Sequence, residues 1–186
     1  MGNFYVNIAV KGASTPALRQ QLETLGCPAI LTPPIDLHSF VYADFLGSTE
    51  TPRDGEIARL LSSLPGADYA MVSTNMDDDF LGYELWARGE RVDAYYSASD
   101  AFEPDEFDDE APRGDTTRLR TVFPLLDEVA VRRVLDREDY VFALERHQDL
   151  FRLLNIPTGP AIMDYNYLQN GELPEGVAEG SLIRLA

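Results

Sequence analysis

Cysteine is almost missing from this chain: Cys27 is the only one in 186 residues. A single thiol excludes an intramolecular disulfide and a zinc site of clustered thiolates, and it suits a reducing compartment. Cys27 also follows Gly26 at an expected helix end, where the negative pole of the helix opposes a thiolate, so it is a poor catalytic nucleophile. Lysine is equally scarce. Lys11 is the one lysine among 15 basic residues, which face 32 acidic ones for a net charge of −17. One lysine and dispersed arginines do not build the basic stripe that neutralises phosphates, so direct binding to nucleic acid or to anionic lipid is disfavoured.

Long apolar runs are absent as well. Stretches such as Val129 to Val131 or Tyr140 to Leu144 fall far short of the roughly 18 residues that a membrane helix needs. The N-terminus lacks a basic segment followed by an apolar one, and a cytoplasmic location is expected. The sequence contains no G-x-x-x-x-G-K-[ST], G-x-G-x-x-G, H-E-x-x-H or G-x-S-x-G, which lowers the weight of the common phosphate-cradling, dinucleotide, zincin and hydrolase classes. No internal repeat and no interdomain linker is evident.

What the chain does have is core-forming material. Hydrophobic residues make up 45%, with nine Phe, nine Tyr and one Trp, enough to fold one domain spanning residues 1–186. Asn3 to Val10 reads as a strand ending at Lys11-Gly12. Ser14 or Thr15 with Pro16, then Leu18, Leu22 and Leu25 ahead of Gly26, reads as a capped helix. Pro28 to Leu31 and His38 to Phe45 form a hairpin around Pro33-Pro34-Ile35-Asp36. A second helix starts near Thr51-Pro52 and carries Ile57, Leu60, Leu61 and Leu64 on one stripe until Pro65-Gly66. Ala67 to Thr74, Phe80 to Ala87 and Arg91 to Tyr96 form an antiparallel meander with a tight turn at Arg88-Gly89-Glu90.

The fold class expected is therefore α+β: a ferredoxin-like βαββαβ core extended by two antiparallel strands at one edge. Three short helices should follow, marked by Leu119, Val122 and Phe123, by Val131, Val134 and Leu135, and by Leu144, His147, Phe151 and Leu154. A C-terminal strand is expected around Tyr165-Asn166-Tyr167, between turn signals.

The runs Gly82 to Ser97 (GYELWARGERVDAYYS) and Leu154 to Gly176 (LNIPTGPAIMDYNYLQNGELPEG) together resemble segments of an uncharacterised group of bacterial cytosolic proteins without an assigned activity. That resemblance implies no functional residue.

Two acidic runs are the candidate sites. Residues 97–115 read as an acidic loop in which Phe102 and Phe107 interleave with Asp105, Glu106, Asp108, Asp109 and Glu110, a pattern suited to docking on a basic partner. Asp77, Asp78 and Asp79 offer oxygen ligands for a hard divalent cation, but they lack the spacing that converges ligands in a calcium loop. His147 falls on the apolar side of its helix and His38 opens a strand; both read as core or boundary histidines. Tyr95 and Tyr96 should point to opposite faces of the sheet.

The leading expectation is a non-catalytic acidic module that binds a basic protein and needs no cofactor, such as an inhibitor, immunity-type or regulatory protein. Alternatives are a carboxylate-dependent enzyme, with or without a divalent metal, and a nucleic-acid-mimicking inhibitor.

Overall fold

The computed structural model describes residues 4–26, 28–44, 46, 54–76, 80–97, 112–137, 139–178 and 180–186. Among the described residues seven strands form one antiparallel sheet: β1 (Tyr5–Lys11), β2 (Ala29–Leu31), β3 (His38–Ala43), β4 (Tyr69–Met76), β5 (Phe80–Ala87), β6 (Glu90–Tyr96) and β7 (Ile183–Leu185). Their order is β6-β5-β4-β1-β3-β2-β7. The meander β4-β5-β6 thus extends one edge of the sheet, as its sequence suggests. β7 pairs with β2 at the other edge, Ala29 opposite Leu185.

Helices cover both faces, and for that reason β1 is buried along nearly its whole length instead of alternating. On one face, α1 (Thr15–Leu25) and α2 (Asp54–Ser62) place Leu18, Leu22, Ile57 and Leu61 against Val6, Ile8 and Val10. On the other, α3 (Thr116–Val122), α4 (Glu128–Asp136), α5 (Ala143–Leu154), α6 (Thr158–Ala161) and α7 (Tyr165–Gln169) cover Phe40, Tyr69, Tyr83 and Tyr95. Among the described residues no helix is long and apolar enough to cross a membrane.

The local signals explain most boundaries. Ser14 caps α1 through a bond from the Ala17 amide, Pro16 sits in its first turn, and Gly26 ends it at φ 64°. Asp115 caps α3 and Asp127 caps α4. Tyr95 is buried under α5 whereas Tyr96 lies half-buried on the opposite face, stacked on Phe80 at 5.8 Å.

Two expectations need correction. Five helices follow the meander among the described residues, not three, because two short ones, α6 and α7, complete the cover after α5. The segment around Tyr165-Asn166-Tyr167 is helical, not a strand. Asp164 accepts a bond from the Tyr167 amide at 2.9 Å, and the Gln169 side chain donates to the Tyr165 hydroxyl at 2.8 Å one turn away. A good cap and an i,i+4 pair outweigh the strand preference of tyrosine. The C-terminal strand lies instead at Ile183–Leu185.

The β2–β3 connection closes on a two-residue turn. Ile35 and His38 exchange both backbone bonds, at 2.7 and 2.8 Å, and the residues between them, Asp36 and Leu37, have φ 47° and 69°. Both positions require positive φ, which Leu37 tolerates poorly, and its side chain is 72% exposed, so little burial offsets the strain. Leu37→Gly is expected to stabilise the fold by about 1 kcal/mol, read from the urea midpoint. A lower midpoint would mean that the leucine makes stabilising contacts at the turn.

Candidate functional site

The sequence-derived partner residues Phe102, Asp105, Glu106, Phe107, Asp108, Asp109 and Glu110, the acidic triplet Asp77, Asp78 and Asp79, and Cys27 all lie outside the described residues. Among the described residues no group of three or more His, Cys, Asp or Glu is placed to hold a metal ion.

Among the described residues two carboxylates are raised above their ordinary range, Asp54 and Asp93, each mainly by burial. They do not share a pocket. Asp93 accepts bonds from the Tyr83 hydroxyl (2.7 Å) and the Asp115 amide (3.0 Å) on the α3–α5 face. Asp54 feels Glu84 on the α1–α2 face, and Glu84 accepts from Trp86 Nε1, the Tyr96 hydroxyl and Arg91.

His147 faces inward from α5 and is 1% exposed. Its Nδ1 lies 2.5 Å from the Tyr5 hydroxyl, its ring stacks on Tyr5, and Phe151 meets it edge-on at 4.0 Å. Burial pushes its pKa down to about 3, so the ring is neutral at pH 7. The nearby carboxylates are directed elsewhere: Asp149 binds Tyr140 and Arg152, Asp139 binds Arg137, and Glu145 is exposed. His147 therefore has a tyrosine as its partner, with no carboxylate among the described residues to orient it as a general base.

Around it on the same sheet face lies a polar island. Asn7 donates to the carbonyls of Ala161 and Met163 at 2.8 and 2.9 Å. Asn7 Oδ1, Ser73 Oγ, both amide atoms of Asn75 and His147 Nε2 are buried with no hydrogen-bond partner among the described residues. The register sets Asn7 opposite Ser73 and Tyr5 opposite Asn75, which concentrates these groups in one spot. The alternation of Tyr5 and Asn7 with Val6 and Ile8 put two polar side chains on one face, and that was the signal in the sequence.

One accessible recess, of about 510 Å³, lies between β6, the end of α4 and the start of α5. Arg146 forms its floor. Its guanidinium donates to the Tyr95 hydroxyl and to the Arg137 carbonyl, and it lies 5.1 Å from the Tyr140 ring. Arg146 is only 9% exposed, yet no carboxylate among the described residues lies within ion-pair distance of it. Arg113 and Arg137 stand at the rim, both exposed; Asp139 pairs with Arg137, and Arg113 has no such partner among the described residues. The Tyr95 hydroxyl donates in turn to the Leu135 carbonyl at 2.9 Å, which fixes the floor against α4.

Sequence reading missed this recess. A signal existed: Arg146 occupies a position three residues after Ala143 and four before Leu150, on the buried stripe of α5, where an aliphatic side chain is the norm. Compared with known proteins, the chain matches no family model, no curated protein and no solved structure.

Proposed function

We propose that the chain is a non-catalytic binding module that meets a basic protein partner through its acidic segments. The supporting observation is how unevenly the charge is distributed. The described residues hold 19 carboxylates against 14 Lys or Arg, a balance of −5, whereas the whole chain carries −17. Seven of those arginines, among them Arg19, Arg91, Arg120 and Arg152, are already matched by a carboxylate neighbour. The described residues thus carry less than a third of the net charge. The rest belongs mainly to Asp77-Asp78-Asp79 and to the run from Asp105 to Glu110, a charge clustered along the sequence, which suits the steering of a basic partner more than even solubilisation. The sealed position of His147 fits a role outside catalysis.

The same proposal includes a cytoplasmic setting, in keeping with the lone Cys27, and kinship with the uncharacterised bacterial group that the hairpin and C-terminal runs resemble. It also includes a finer reading of the fold. The strands β4-β1-β3-β2, antiparallel throughout and carrying α1 and α2 on one face, are consistent with a split-βαβ, ferredoxin-like unit.

The test compares the wild type with a variant in which Asp105, Glu106, Asp108, Asp109 and Glu110 become Ser or Asn. The wild type is expected to retain a basic protein at low salt and release it at high salt, and the variant to lose it. Equal retention by both proteins would overturn the proposal.

A further inference from the structure

We propose that the recess floored by Arg146 is a binding site for the phosphoryl group of a small molecule. The reading is independent of the acidic segments and rests on the recess alone.

A guanidinium that is nine-tenths buried is costly unless an anion or a full set of acceptors compensates it. Arg146 receives a carbonyl, a hydroxyl and one aromatic face, and none of these carries negative charge. Those oxygens engage two of its five N–H groups, which leaves donors for a further acceptor. Arg113 adds a second positive charge without a carboxylate neighbour among the described residues. The other charges on the wall are already matched: Arg137 by Asp139 and Asp136 by Arg132. Two uncompensated guanidiniums fit a dianion, and a phosphate monoester near neutral pH carries close to two negative charges on oxygens that planar guanidiniums bind in bidentate fashion.

The volume of about 510 Å³ exceeds what inorganic phosphate fills and has room for a small organic body alongside the Tyr140 ring. In a chain of net charge −17 the long-range field repels anions, so an anion in the recess would be held by short-range contacts to these guanidiniums.

Arg146 also ties the Arg137 carbonyl at the end of α4 to Tyr95, so its replacement alone would confuse binding with folding. The decisive variant is Arg113→Gln, at an exposed residue whose side chain holds nothing else in place among the described residues. Wild type, Arg113→Gln and Arg146→Lys are titrated calorimetrically with phenyl phosphate, with inorganic phosphate and with succinate at constant ionic strength, and each fold is checked by its urea midpoint. The expected result is saturable binding of phenyl phosphate to the wild type, weaker binding of inorganic phosphate, and a loss of roughly tenfold or more in Arg113→Gln at an unchanged midpoint. Arg146→Lys, which keeps the charge but not the fork, should also weaken binding. No saturable binding to the folded wild type would overturn the site. Affinity unchanged by Arg113→Gln, or succinate bound as tightly as phenyl phosphate, would overturn its assignment to a phosphoryl group.

Discussion

Gly12→Ala is expected to destabilise the protein by about 3 kcal/mol or more, the largest loss among the substitutions considered. Gly12 ends β1 at φ +86°, where its amide donates to the Leu37 carbonyl. The chain passes the α2–β4 turn here so closely that a Cβ on Gly12 would stand 2.3 Å from the Gly66 carbonyl oxygen and 3.2 Å from the Asp68 amide nitrogen. Both obstacles are backbone, and the Asp68 amide is itself bonded to the Lys11 carbonyl at 2.9 Å, so neither can swing aside like a flexible side chain. Gly26→Ala is the matched control. That glycine also has positive φ, at +64°, but an added Cβ meets nothing within 4 Å, and only the conformational cost of about 1 kcal/mol remains. Urea denaturation of the two variants separates the contact from the dihedral. Equal losses would show that the turn yields and that no close approach is enforced.

The second large effect is the acid sensitivity that His147 imposes. Its folded-state pKa lies near 3, against 6.5 for the free side chain, with burial as the cause. The unfolded chain therefore takes up a proton below pH 6.5 that the folded protein refuses, and stability is fully present above that value and falls as the pH drops toward 3. At pH 5 the loss from this one residue is about 2 kcal/mol. Asp54 and Asp93, raised by burial, act in the opposite sense, since protonation favours the folded form of each, so the total profile mixes signs. The difference between wild type and His147→Phe isolates the histidine. Phenylalanine keeps an aromatic ring between Tyr5 and Phe151 and has no proton to gain. The stability gap between the two proteins, measured by urea denaturation at pH 7, 6 and 5, is expected to shift by about 2 kcal/mol in favour of the variant as the pH falls. A constant gap would mean that the ring is protonated without penalty, and hence that the polar island around Asn75 and Ser73 solvates its charge.

Much of the scaffold was legible before any coordinates because its signals are local. Ser14, Pro16 and Gly26 bracket α1, the Arg88-Gly89 pair turns β5 into β6, and the leucine stripe of α2 needs only helical spacing to be seen. The reading failed where a local preference met a competing one. Tyr165 and Tyr167 favour strands, yet Asp164 in front of them supplies a cap, and the helix prevails because its first-turn amides gain a partner. The sites were less legible than the scaffold. The acidic runs announced themselves by composition, whereas the recess joins Arg113, Arg137 and Arg146 from three separate parts of the chain.

By itself, the sequence determined the class of elements, the antiparallel meander and the inward direction of His147, all of which follow from hydrophobic periods of two or about 3.6 and from caps a few residues away. Only the tertiary structure decided the remainder: Tyr5 as the partner of His147 across 142 residues, the backbone contact at Gly12, the pairing of β7 with β2, and a nine-tenths buried Arg146 with no carboxylate beside it among the described residues. The physical reason is that a cap or a hydrophobic stripe is fixed by neighbours along the chain. Burial, charge compensation and close approach are fixed by neighbours in space, which no periodicity encodes.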